Sequence, residues 1–260
     1  MSNINLYIKS RAGSGSIYEA EYQSFLNYLT LNSFVLPSDT QKIKQNLLVK
    51  TLKDKGIWNK LDSFRLYATD GGVNTALADW RRLSQCVAVN SPLFITNQGF
   101  KGNGTSSYID VNFNPDTATG IKNYKLNNAS FGCWVSELPT IGVYVQGLLG
   151  SANSRYPIGN FTEHRVNGGN CNGAVDLSGL GFKSLNKTAS LNYVMINGTS
   201  QAIRTTNADS NVNSKFIDLS GFGNSQSFAN VNLSMGFIGA SLVTENNDFF
   251  NAINTYMNSL

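Results

Sequence analysis

The sequence predicts an all-β protein, a sandwich or jelly roll, with a helical hairpin at its N-terminus and one helix at its C-terminus. Three observations predict it. Apolar residues recur at helical spacing only near the two ends of the chain. From about residue 64 the period becomes two, in many short runs. Between those runs stand Gly, Asn and Ser, whose side chains and backbone preferences suit tight turns.

Tyr18, Tyr22, Phe25, Leu26 and Leu29 make one apolar stripe over residues 18 to 31. Ser38 stands three residues before Gln41 as a capping box, and Ile43, Leu47, Leu48 and Leu52 continue a second helix that Gly56 can end. These helices form a hairpin, read as a docking or packing unit, and a boundary is placed after residue 65: residues 1–65 the hairpin, residues 66–260 the sandwich with its closing helix. Residues 107–114 alternate Ile109, Val111 and Phe113 with Tyr108, Asp110, Asn112 and Asn114, the pattern of a half-buried antiparallel strand. Residues 129–136 place Phe131, Cys133 and Val135 inward by the same alternation. Leu191 to Ile196 followed by Asn197-Gly198 is the strongest hairpin signal, because Asn-Gly accepts the positive φ angles of a type I′ turn. Further strands are expected near residues 216–219 and 231–238. Phe249, Phe250, Ile253, Tyr256, Met257 and Leu260 give the last segment a wide apolar face behind Thr244, Glu245 and Asp248, a helix that would lie on one sheet or on the hairpin.

Composition narrows the function. Charged residues are 14% of the chain, well below the roughly 25% of an ordinary soluble domain. Amides and hydroxyls must therefore carry the surface. The net charge of +4 is scattered as single Lys and Arg residues, apart from the pair Arg81-Arg82, which argues against a nucleic-acid partner. The opening MSNINLYIKSRAG lacks the apolar core of a secretory signal, and no apolar run suits membrane insertion, so synthesis in a cytoplasm is expected. Cys86, Cys133 and Cys171 are far apart, without a CxxC pair and with His164 as the sole imidazole, and are read as reduced thiols. Sequons such as Asn103-Gly-Thr follow from the abundance of Asn.

The loop GFKGNGTSSYIDVNFNPD, residues 99–116, has glycines and hydroxyls, yet a phosphate-binding loop would need GxxxxGK[ST] leading into a helix. Here the glycines lead into a strand, so the loop is read as a turn. The polar side of that strand, Tyr108, Asp110, Asn112 and Asn114, combines the carboxylate, amide and aromatic groups that a sugar's hydroxyls and apolar ring faces require; the alternative is a solvated outer sheet face. Asp209, Asn211 and Asn213 offer oxygen ligands at alternate positions, as a calcium loop does, with Asp218 nearby in sequence, but the Gly and Glu of an EF-hand loop are missing. Asp70-Gly-Gly-Val-Asn74 is similar and no stronger. No GxSxG elbow and no acidic run of a glycosidase occurs, and Glu163-His164 stands alone as a carboxylate beside an imidazole. The expectation is a protein without catalytic activity.

Several segments, among them GIWNKLDSFRLYATDGG (56–72), DWRRL (79–83), residues 90–115, NNASFGCWV (127–135), NKTASLNYVMINGT (186–199) and the closing residues 237–260, resemble concanavalin A-like, laminin G-type jelly rolls of tailed phages and related prophages. There a helical hairpin like residues 22–58 precedes the sandwich. The resemblance implies a virion structural protein, made in the host cytoplasm: a capsid decoration, head fibre or tail-associated module. It would assemble with other virion proteins and with copies of itself, with adhesion to host-surface glycans through the face at Tyr108 as an added role. No cofactor is expected; for Asp209, Asn211 and Asn213 a solvent-exposed turn is favoured over a calcium site. The alternative is a carbohydrate-binding module, or a glycan hydrolase or lyase, on the same sandwich. The first would expose aromatics such as Trp134, Tyr144 or Tyr156 around a groove; the second would bring two acids into one cleft.

Overall fold

The computed structural model describes residues 17–139, 143–149, 151–158, 164–167, 169–170, 179–189, 191–205, 214–220 and 228–260. The N-terminal stripe folds as helix α1 (Ala20–Leu31), with Tyr22, Phe25, Leu26 and Leu29 buried. Helix α2 (Asp39–Asp54) starts at Ser38, whose side chain accepts the Gln41 N–H at 3.3 Å. The reciprocal half of the capping box is absent. Gln41 instead turns inward, its Oε1 accepting the Asp70 N–H and the Thr69 hydroxyl, both at 2.7 Å, while the Ser38 N–H goes to Asp70. The buried face of α2 is correspondingly Gln41, Gln45, Leu48, Val49 and Leu52, so Ile43 and Leu47, expected inside, lie outside. Two buried amides are tolerated because each is bonded: Gln45 accepts the Tyr22 hydroxyl at 2.7 Å.

The strands are β1 (Leu61–Leu66), β2 (Ala78–Asp79), β3 (Ser84–Gln85), β4 (Val87–Val89), β5 (Leu93–Ile95), β6 (Gly99–Lys101), β7 (Tyr108–Asp110), β8 (Ala129–Glu137), β9 (Val143–Leu148), β10 (Ser151–Ile158), β11 (Arg165–Val166), β12 (Gly169–Asn170), β13 (Gly181–Lys187), β14 (Leu191–Ile196), β15 (Thr199–Thr205), β16 (Phe216–Asp218) and β17 (Asn232–Gly239). A one-turn helix, α3 (Gly72–Ala76), lies between β1 and β2, and α4 (Asn246–Met257) closes the chain. The first sheet runs β15-β14-β13-β8-β17-β1-β2-β3, with β6 also on β17 and β5 on β6; the second runs β12-β11-β10-β9-β16-β7-β4. All described pairings are antiparallel. This is the two-sheet jelly-roll sandwich that the sequence predicts.

Alternation along β8 and β17 sorts the core into two layers. Phe131, Cys133, Val135 and Ile238 face the second sheet, where Phe216, Leu148 and Ile109 meet them. Phe237 and Met235 point the other way, into a layer shared with Phe64, Phe182, Phe249, Trp80 and the buried faces of α1, α2 and α4. Each of these large side chains contributes roughly 1.5–3 kcal/mol by leaving water. The helices thus cover the outer side of the first sheet. β1 already belongs to that sheet, so the boundary placed after residue 65 falls inside a strand.

Turn chemistry is where the sequence places it. Asn197 and Gly198 have φ of 47° and 82°, linking β14 to β15. In the 102–107 loop, Asn103 Oδ1 accepts the N–H groups of Thr105, Ser106 and Ser107, at 2.9, 2.9 and 3.0 Å, which confirms a turn. Gly99 has a φ of 106°, and a Cβ there would lie 2.0 Å from the Leu233 carbonyl oxygen.

Candidate functional site

The four polar residues singled out in the sequence begin on one face but do not continue along one strand. β7 ends at Asp110, because Asn112 adopts a φ of 56°. An Asp side chain followed two residues on by a left-handed Asn is an Asx turn: Asp110 Oδ1 accepts the Asn112 N–H at 2.7 Å. Asn114 does the same for Asp116 at 2.9 Å. Alternation still holds for burial, with Ile109, Val111 and Phe113 inside, so the period-two pattern was real while its strand was short.

Tyr108 and Asp110 therefore form the centre of a patch on the outer side of the second sheet. Val87 of β4 lies opposite Asp110 and is 52% exposed. Asp110 Oδ2 pairs with the Lys215 ammonium at 3.3 Å. The Tyr108 ring stacks on Phe228, centroids 6.2 Å apart and planes 28° apart. Among the described residues nothing bonds the Tyr108 hydroxyl or the exposed Asn112 amide. Apolar area, a free hydroxyl, an ion pair and a free amide thus share one surface. Lys215 and Phe228 were missed by the sequence reading, since each lies more than 100 residues from Tyr108; the β7–β16 pairing brings in Lys215, and an isolated bridge between Ser220 and Phe228 brings in the ring.

The calcium-loop residues Asp209, Asn211 and Asn213 lie outside the described residues, as do Cys171 and Glu163. Asp218, considered as a further ligand of that loop, is turned inward. Its carboxylate receives Arg65 Nε at 3.1 Å and Nη2 at 3.0 Å, Gln146 Nε2 at 2.8 Å and the Tyr67 hydroxyl. Both charges are fully buried, and the cluster ties β1 of one sheet to β16 and β9 of the other. Burial alone would lower the Arg65 pKa, but the Asp218 charge outweighs it and holds the guanidinium firmly protonated. Burial, then Asp218, pushes the Tyr67 hydroxyl well up, keeping it a neutral donor. Arg65 Nη1 donates to Ser63, which donates to Asp79. Asp62, also buried, accepts the N–H groups of Asn123 at 2.5 Å and Tyr124 at 2.6 Å. These acids bond the fold internally. Among the described residues no group of His, Cys, Asp and Glu is arranged to hold a metal ion.

The tryptophans divide sharply. Trp58 and Trp80 are buried in the helical layer, Trp58 beneath Arg81 at 5.0 Å. Trp134 is only partly buried and lies parallel to Phe250 of α4, at 9° and 6.4 Å. Tyr144 is buried, and the Tyr156 side chain lies outside the described residues. A groove of about 250 Å³ runs between α2 and α4, floored by Leu47, Leu48, Ala252 and Tyr256. Its lysines are engaged, Lys55 with Asp248 at 3.1 Å and Lys44 with the Ser259 carbonyl.

The two-sheet jelly roll is a lectin-like class of fold, and solved structures share that fold. The chain is similar to Trypanosoma rangeli sialidase, with a TM-score of 0.53 and 14% identity over 84% of this chain and 40% of that one. The same sialidase in complex with sialic acid gives a TM-score of 0.53 and 13% identity, over 82% of this chain and 39% of that one. A mutant of botulinum HCR/D gives a TM-score of 0.51 and 15% identity, over 78% of this chain and 53% of that one. This chain therefore spans about two fifths of the sialidases and half of HCR/D. At such identities the likeness is one of fold. No family model matches the sequence. No curated protein matches it either.

The neighbours correct one expectation. Because they are sialidases, the sandwich is a fold that enzymes carry, and the lack of a catalytic motif in the sequence does not support the absence of activity expected above.

Proposed function

We propose that this protein is a glycan-recognising β-sandwich that binds saccharides on the outer face of its second sheet, around Tyr108, Asp110, Asn112 and Lys215. The observation that carries the reading is the Tyr108–Phe228 stack beside the Asp110–Lys215 pair. A pyranose has one apolar ring face and a rim of hydroxyls; the stack and Val87 supply flat apolar area, and the Tyr108 hydroxyl, Asp110 and Asn112 supply the rim partners. Lys215, 46% exposed at its side chain, offers a cation to an acidic sugar, and the sialidase neighbours make sialylated glycans the first ligands to test.

A glycan array probed with the full chain, followed by titration of the best ligand, tests the reading. Tyr108→Ala should weaken binding by about tenfold, the worth of roughly 1.4 kcal/mol of stacking. Absence of any glycan above background, or a Tyr108→Ala protein that binds as the parent does, would overturn it. The same preparation incubated with a fluorogenic sialoside separates recognition from hydrolysis. Display on a virion, with self-association and other virion proteins as partners, rests on the sequence resemblance alone; peptide counting in density-purified particles tests that part.

A further inference from the structure

We infer that Trp134 and Phe250 form a second saccharide site, selective for neutral sugars, at the rim of the helical layer on the opposite sheet. The inference shares with the proposed function the premise that the sandwich handles glycans, but it rests on different residues and on the other sheet.

Trp134 belongs to β8 and points to the outer side of the first sheet, between Phe182 and Met235 of the neighbouring strands. Those two side chains are fully buried, whereas Trp134 and Phe250 remain partly exposed. Parallel aromatic pairs also occur inside this layer, as between Phe182 and Phe237 at 6°, but those rings are fully buried. The Trp134–Phe250 pair is stacked in the same parallel way, at 9° and 6.4 Å, and its partial exposure leaves aromatic area open at the rim. Its indole N–H is neither a buried unsatisfied atom nor bonded to any described residue, so a donor stands free at the edge of the aromatic face. A partly exposed indole with an open N–H suits a ring that offers both C–H groups and hydroxyls.

The polar surroundings are amides. Asn247 and Asn254 flank Phe250 at three residues before and four after on α4, which places them on its side of the helix, and neither side chain bonds a described residue. The Asn197-Gly198 turn closes one side: a Cβ at Gly198 would lie 2.8 Å from Asn247 Oδ1 and 3.0 Å from the Phe250 ring. Nearby charges are neutralised, Asp248 by Lys55 at 3.1 Å and Glu137 by Lys101 at 2.6 Å. Amides can both donate to and accept from sugar hydroxyls, and among the described residues the charges beside the pair are already in ion pairs, so neutral hydroxyl-rich rings are matched better than acidic ones. The Tyr108 face differs in that a cation, Lys215, stands among its proposed contact residues, paired with Asp110 at 3.3 Å.

Intrinsic fluorescence reads the site directly, because the other two tryptophans are buried. The full chain is titrated with neutral gluco-, galacto- and N-acetylglucosamine oligosaccharides and with sialyllactose, by fluorescence and calorimetry. The expected result is a fluorescence change with a neutral oligosaccharide but not with sialyllactose. Trp134→Ala should weaken that binding about tenfold or more, and Trp134→Phe should retain it within about threefold while losing the fluorescence change. Trp134→Phe keeps a ring on Phe250, so a folding defect in the alanine variant does not decide the outcome. No response to any neutral oligosaccharide, or unchanged affinity in Trp134→Ala, overturns the inference. Neutral-sugar binding that is lost in Tyr108→Ala and kept in Trp134→Ala overturns it too, and leaves the Tyr108 face standing; the reverse pattern sinks that face and leaves this one.

Discussion

Replacing Asp218 by Asn should cost about 3 kcal/mol of stability. Asp218 accepts from Arg65, Gln146 and Tyr67, and both ionised partners are fully buried. Removing one member of a buried ion pair leaves the other uncompensated, typically at about 3–5 kcal/mol. The low end applies because Arg65 also donates to Ser63, which bonds Asp79, so the guanidinium is not left without a nearby negative charge. For a chain of this size, where about 1 kcal/mol moves the melting temperature by roughly 2–4 °C, the expected fall is about 6–12 °C. Urea unfolding followed by fluorescence gives the free energy, and the slope checks that both proteins expose the same surface. Arg65→Met alone should be comparably harmful, since it strands the carboxylate, whereas the double variant should recover about 2 kcal/mol or more relative to additivity. A loss below about 1 kcal/mol for Asp218→Asn, or strict additivity in the cycle, would refute the view that this pair couples the two sheets.

Two further changes test the fold. Gly99→Ala should cost about 3 kcal/mol or more, because the new Cβ would meet the Leu233 carbonyl oxygen at 2.0 Å in a backbone conformation with φ of 106°; thermal unfolding within a few degrees of the parent would contradict this. Burial raises the Asp62 carboxyl above its usual 3.8 despite the two N–H groups that it accepts, and raises Asp79 likewise. Acids raised in this way bind more protons folded than unfolded. Their contribution is therefore full below the unfolded value and is lost as pH rises from about 4 through the folded value. Asp62→Asn should flatten that decline in a series of urea midpoints from about pH 4 to about pH 7, and an unaltered slope would refute the assignment.

Much of the fold was legible because it depends on local patterning. The stripe of α1, the Asn197-Gly198 turn, the inward set Phe131, Cys133 and Val135, and the apolar face of α4 each follow from spacing within a dozen residues. What the sequence hid depends on distant partners. Ile43 and Leu47 were expected inside because they are apolar, yet Gln41 and Gln45 occupy that face, made tolerable by Thr69, Asp70 and Tyr22 from elsewhere in the chain. Arg65 and Asp218 are 153 residues apart, and no periodicity marks either as a buried pair. At the candidate site the residue types were readable, but the Asp110 and Asn114 side chains close Asx turns, and Lys215 and Phe228 became neighbours only through the pairing of β16 and of the Ser220–Phe228 bridge.

The central claim is that the outer face of the second sheet binds glycans. Amide and side-chain chemical-shift mapping of the full, isotope-labelled chain during titration with sialyllactose and with the strongest glycan-array ligand tests it most directly. The account predicts saturable shifts centred on Tyr108, Asp110, Asn112, Lys215 and Phe228, abolished in Tyr108→Ala. A spectrum that stays unchanged with every glycan, or shifts confined to other surfaces, would contradict it.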